Sequence, residues 1–180
     1  MLVRLYTATF GSIQRVFEDW LIGTLARLVF AGVLLVYFLN SAMTKFRGAF
    51  PEVSVGAYAQ ILPKRMEAVS FDPSRLSTLE HVIVYAGSYG EVILPVLVVA
   101  GFLTRLASVG MIGFIAVMTY VDITAHGVDA ATIGHWFDNV ATAPIADQRS
   151  LWVFLLVVLV LKGPGPISLD AFLGRGRVRR

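Results

Sequence analysis

Residues 21–46 read LIGTLARLVFAGVLLVYFLNSAMTKF, and this stretch decides the fold. Its centre, LVFAGVLLVYFL, is an apolar run bounded by Arg27 and Asn40, with Lys45 beyond. A helix crossing a hydrocarbon core of about 30 Å needs about 20 largely apolar residues, which this stretch supplies. At about 100° per residue, Arg27, Ala31, Leu34, Phe38, Ser41 and Lys45 share one face. Two cations on one stripe predict a side turned to protein or water and away from lipid.

Three more apolar blocks follow. Span two is expected over 79–102 and contains Glu91 and Pro95, the proline predicting a kink just after Glu91. Span three is expected over 105–124, where Gly110 and Gly113 allow close helix approach. Only three residues, Leu103 to Arg105, join these blocks, so they form a tight hairpin. The fourth block, LWVFLLVVLVL at 151–161, is too short alone and is expected to begin near Ile145. Gly163-Pro164-Gly165-Pro166 then stops the helix, and Ser168 is placed to cap a short final one, with Asp170 in its first turn.

Upstream, Val3, Tyr6, Phe10, Ile13, Phe17 and Trp20 recur at steps of three and four, opposite Arg4, Gln14, Arg15 and Glu18. That pattern is an amphipathic helix lying in the interface, too polar to cross. Three regions result: an interfacial helix over 1–20, a four-helix transmembrane domain over 21–170, and a basic tail over 171–180. No Ala-x-Ala-like cleavage site follows the first block, so that span is expected to be retained. The fold class is an all-α membrane protein, a four-transmembrane-helix bundle with two outward-facing capping loops, 47–78 and 125–144.

Composition agrees. Of 180 residues, 57% are hydrophobic and only 15% charged, against about a quarter charged in soluble domains. This excludes a soluble globule, a disordered chain and a coiled coil. The net charge of +3 comes from basic residues beside apolar blocks, where they set topology, so nucleic acid is excluded. The terminal arginine cluster favours cytoplasmic termini. With no cysteine, the chain has no disulfide, thiolate metal site or iron–sulfur ligation of its own. Gly-x-Ser-x-Gly, phosphate-binding and dinucleotide motifs are missing too.

Glu91 is the most informative polar residue. A carboxylate within an apolar span must be protonated, paired with a cation, or in a wet cavity. Three roles stay open: a proton-handling carboxylate, a ligand-headgroup site such as a quinone's, or a structural ion pair between spans one and two. Arg27 and Lys45 are its candidate cations. Tyr89, two residues away, is the aromatic expected to line a pocket; Trp20, Tyr85, Tyr120, Trp136 and Trp152 suit an aromatic belt. His81, His126 and His135, with Asp122, could hold a divalent metal, and Met111 and Met118 below suggest a copper path. The spacing matches no established metal motif.

Arg27-Leu28 followed by an apolar run to Ser41-Ala42-Met43-Thr44-Lys45-Phe46 resembles the first span of the DoxX family. Glu91 ahead of Gly101-Phe102-Leu103-Thr104-Arg105-Leu106 resembles its second span and following turn. Lys162-Gly163-Pro164-Gly165-Pro166-Ile167-Ser168-Leu169-Asp170 resembles its C-terminal signature. Ala42 stands where glycine is common, and the first outward loop is long. The resemblance implies a four-helix protein of a bacterial inner membrane that works with redox systems. It would be a subunit of an enzyme such as thiosulfate:quinone oxidoreductase, with quinone as the expected cofactor. The alternatives are a non-enzymatic anchor recruiting a partner enzyme and a metal-handling protein. The bilayer is one partner, and a protein of the redox complex or further copies of this chain would be another.

Overall fold

Four helices carry the four apolar blocks in a computed structural model that describes residues 1–18, 20–48 and 52–175. Helix α1 is Leu2–Phe17 and α2, the first span, is Leu21–Met43. Two short helices follow in the first loop, α3 (Val55–Ile61) and α4 (Pro63–Ala68). The second span is α5 (Thr78–Ala100) and the third is α6 (Thr104–His126). A one-turn α7 (Ala130–Ile133) precedes the fourth span, α8 (Pro144–Lys162), and α9 is Leu169–Arg175. The described residues contain no strand, only an isolated bridge between Phe46 and Val53. Part of the first loop, 49–51, and most of the basic tail, 176–180, lie outside the described residues.

The spans alternate in direction and pack as a ring, α2 on α5, α5 on α6, α6 on α8 and α8 back on α2. This is the up-down-up-down bundle that short connections favour. At its centre Phe30, Leu34 and Phe38 of α2 meet Val98, Met111, Ile115, Leu156 and Leu159. Outward positions such as Leu28, Val33, Val96, Leu106, Phe154 and Leu161 expose large apolar side chains, as lipid contact requires.

The buried stripe of α2 departs from the expected one. It runs Ala26, Phe30, Leu34, Phe38 and Ala42, in unbroken steps of four, with Phe46 buried just beyond the helix end. Each such step drifts about 40° around an ideal helix. A wider i→i+5 turn at Ala31–Leu35 takes up part of that drift and keeps the stripe on the bundle. Helix α5 runs unbroken through Pro95, which removes the amide that would donate to the Glu91 carbonyl.

The terminus-side end is locked by side chains. Gly101 and Leu103 turn the α5–α6 hairpin with positive φ, 69° and 47°. A Cβ on Gly101 would stand 2.5 Å from that of Ser168 and 2.8 Å from the Arg27 guanidinium carbon. Helix α6 has no capping side chain of its own. Asp170 supplies one, accepting from the amides of Leu103 (2.8 Å) and Thr104 (2.9 Å) and from the Thr104 hydroxyl (2.8 Å). Ser168 caps α9, as its position suggested, by accepting from the Ala171 amide.

On the loop side, α3 and α4 fold onto α5. Tyr58, Met66, Val69, Leu76 and Val84 form a second apolar core there. A Ser77–Glu80 capping box starts α5. Helix α1 buries none of its residues, and its end is tied to the bundle by an ion pair between Glu18 and Lys162.

Asp170 gives the first prediction. Burial raises its pKa, but the hydrogen bonds from Thr104 and Leu103 and the charge of Arg27 outweigh this and hold it below the ordinary carboxylate range. A pKa lowered by folding adds stability that is complete above the unfolded value of about 3.9 and lost as pH falls through the folded one. Asp170→Ala is therefore expected to cost about 1–2 kcal/mol at neutral pH, as for a lost N-cap. Thermal unfolding in detergent should show that gap to wild type narrowing below about pH 4.

Candidate functional site

Pairing decides the site, because a charge buried among apolar helices needs an opposite charge or a hydrogen-bonding cage. Glu91 on α5 is 2% exposed and Lys45, just past the end of α2, is 7% exposed. Lys45 Nζ stands 2.5 Å from Glu91 Oε2 and donates to Ser41 Oγ at 3.3 Å. The Glu91 contact is close but off hydrogen-bond alignment, since Oε2 has no hydrogen-bond partner among the described residues. The pair is held by charge.

Its depth differs from what counting along α5 suggests. Glu91 lies about 20 Å from the start of its helix at 1.5 Å per residue. The first turns of α5, however, stand inside the cap, where Val84 joins the second core. Helix α2 ends level with Tyr89, whose ring meets Phe46 edge-on at 5.3 Å. One lysine side chain therefore spans the distance from the end of α2 to Glu91.

The pair lines a half-open pocket of about 560 Å³. Its walls come from α2 (Tyr37, Ser41), α5 (Gly87, Gly90, Leu94) and α6 (Gly110, Gly113, Phe114, Val117). A second ion pair completes it: Arg149 of α8 meets Asp122 of α6 at 2.5 Å and donates to Thr119 Oγ1 at 2.8 Å. Gln60 and Ile61 from α3 and His126 at the end of α6 also line it. His126 Nε2 donates to the Gln60 carbonyl at 3.0 Å, joining the cap to α6 on the watery side.

The two glycines of α6 do different work. A Cβ on Gly110 would stand 2.9 Å from Leu94 Cδ2, so this position permits close approach of α5 and α6. One on Gly113 would meet nothing within 4 Å. Gly113, Val117 and Ile83 are all exposed and all line the pocket, so its mouth opens sideways between α5 and α6. That mouth lies on the outer surface of the bundle, where Ile83 and Val117 expose apolar side chains.

Several expected members lie elsewhere. Arg27 is not a partner of Glu91. Its guanidinium donates to the carbonyls of Val98 (3.1 Å), Val99, Pro164 (3.1 Å) and Ile167. It serves the orphan carbonyls at the end of α5 and the chain after α8. Tyr89 does not line the pocket, because two residues turn a helix by about 200°. It faces Phe46 and stacks on Tyr85 with ring centres 6.4 Å apart.

The metal set is not assembled either. No group of three or more potential ligands gathers among the described residues. His81 Nδ1 is 2.7 Å from the Tyr58 hydroxyl, His126 holds Gln60, and Asp122 holds Arg149. Met111 is core packing, so the methionine path has no continuity. His135 borders an open, mainly apolar groove of about 910 Å³ between α6 and α8. That groove is larger, but Glu91, the buried carboxylate whose Oε2 has no hydrogen-bond partner among the described residues, lies in the smaller pocket.

Arg149 and Tyr37 are the site residues that sequence reasoning missed. The available signal was an acid at the end of span three and a base at the start of span four, at matching depth in antiparallel neighbours.

Removing Lys45 leaves a buried anion without its cation, which costs about 3–5 kcal/mol. Lys45→Met is therefore expected to unfold at markedly lower temperature than wild type. Lys45→Met/Glu91→Leu, which removes both charges, is expected to recover most of the loss. A loss for the double variant equal to the sum of the losses for Lys45→Met and Glu91→Leu alone would show that the charges do not interact.

No curated protein and no solved structure matches the chain. The DoxX family model matches residues 22–127, which hold the first three spans, Lys45, Glu91 and most of the pocket wall. That match covers more than half of the sequence, and the chain belongs to the DoxX family of membrane proteins.

Proposed function

We propose that this protein is the membrane subunit of a quinone-linked redox system and that its lateral pocket takes the head of a lipid-soluble quinone. The observation that supports this best is a buried acid–base pair in a mainly apolar slot that opens sideways between α5 and α6, a side that would face lipid in a bilayer. A ligand dissolved in lipid reaches such a slot sideways without crossing water. A few convergent polar groups in an apolar pocket are also the usual make-up of a small-molecule site. Glu91 and Lys45 would bond the head group, with Glu91 able to hold or release a proton beside it. We place the protein in a bacterial inner membrane with both termini in the cytoplasm, following the basic residues near its ends.

One observation favours the anchor reading as a second role. Phe137 in the second outward loop is fully exposed, with a positive φ of 65°. Displaying a large aromatic at that backbone cost suits a contact with a partner protein.

Purification with native lipids followed by solvent extraction tests the first reading. Wild type is expected to carry quinone, and Gly113→Leu, which puts a large side chain at the mouth where a Cβ meets nothing within 4 Å, is expected to lose it. A quinone-free wild type, or equal retention in Gly113→Leu, would overturn the pocket assignment. In the same preparation Phe137→Ser is expected to shed co-purifying partner protein while quinone retention stays unchanged.

A further inference from the structure

The hydrogen-bond inventory of the pocket is lopsided. An ionised carboxylate offers about four acceptor positions. Glu91 is buried and lines the pocket, and among the described residues its polar contact is the single ammonium of Lys45. Lys45 brings three N–H donors, of which one is directed at Ser41 Oγ and one toward Glu91. The base of the pocket therefore has more unfilled acceptors than spare donors. A buried acceptor without a donor is costly, and more so when charged, so an occupant that donates here gains what the empty site lacks.

The other end has the opposite balance. Arg149 carries five N–H donors, of which one goes to Thr119 and one to Asp122. Its remaining donors suit an acceptor on the ligand. From base to outer end, the pocket thus asks for a donor first and an acceptor second.

We propose that the pocket selects a lipid-soluble phenol or hydroquinone, with its hydroxyl donating to Glu91, over the corresponding quinone, which has only acceptors. This rests on the quinone-type reading above and sharpens it, naming the reduced, hydroxyl-bearing form as the preferred ligand. A quinone carbonyl facing Glu91 sets lone pair against lone pair. A hydroquinone hydroxyl there makes a charge-assisted bond, roughly twice as strong as a neutral one. A glutamine in place of Glu91 can donate as well as accept, so that change should erase the preference.

Equilibrium binding of a short-chain benzoquinone and its two-electron-reduced hydroquinone to the purified full chain, kept anaerobic, tests this. Wild type is expected to bind the hydroquinone at least about tenfold tighter, which raises the midpoint potential of the bound couple by about 30 mV. Glu91→Gln is expected to bring the two affinities within about twofold. Should that variant fold poorly, Lys45→Met/Glu91→Gln, which leaves no unpaired charge, serves in its place with the same expectation. Equal affinities in wild type, or tighter quinone binding, would overturn the proposed preference while leaving the pocket as a quinone-type site. Binding of neither form would overturn both.

Discussion

Everything on the loop side of this bundle is arranged around one carboxylate inside an apolar protein. An isolated ionised acid there would be prohibitively costly, and a lone lysine would be no better. Held 2.5 Å apart, Glu91 and Lys45 make each other tolerable. For that to happen, α2 must stop where a lysine can reach inward, and α5 must extend past it into a cap. The cap core around Tyr58 and Val84 covers that overhang. The wide turn at Ala31–Leu35 keeps the α2 stripe on the bundle as far as Ala42.

The two ends of the bundle are built for different purposes. At the terminus side, Arg27 and Asp170 spend their hydrogen bonds on backbone groups at the ends of α5 and α6. Gly23 belongs to the same lock, since a Cβ there would lie 2.3 Å from the Gly163 carbonyl oxygen. Toward the loop side, glycines at positions 87, 90 and 113 line the pocket between α5 and α6, and Gly113 leaves open space beside it. A rigid end and a gapped end in one bundle place a charged site within reach of the bilayer without loosening the fold.

The spans were legible because a bilayer imposes a length and a composition that few other folds share. The capping serine at 168 was legible for a local reason, its cap position just past the Gly-Pro stop. Side-chain pairing across the bundle was harder to read. Arg27 and Lys45 stood as equivalent cations on one stripe, and only three-dimensional packing shows that Arg27 faces carbonyls while Lys45 faces Glu91. Arg149 carries no local signal of its pairing in the sequence, since its acid Asp122 lies 27 positions away in another span. The histidines suggested a metal because residue type survives in a sequence and orientation does not. Each one turns to a separate place in the cap or groove.

The central claim is that Glu91 is a carboxylate, charged and paired, at the base of a slot open to lipid. Infrared spectroscopy of the protein in lipid, with its glutamates isotope-labelled, reads that charge directly. Comparing wild type with Glu91→Gln should remove a labelled carboxylate stretch, one that shifts in Lys45→Met. If the difference instead removes the carbonyl band of a neutral carboxylic acid, unaffected by Lys45, then the ion pair does not exist and the site built on it fails.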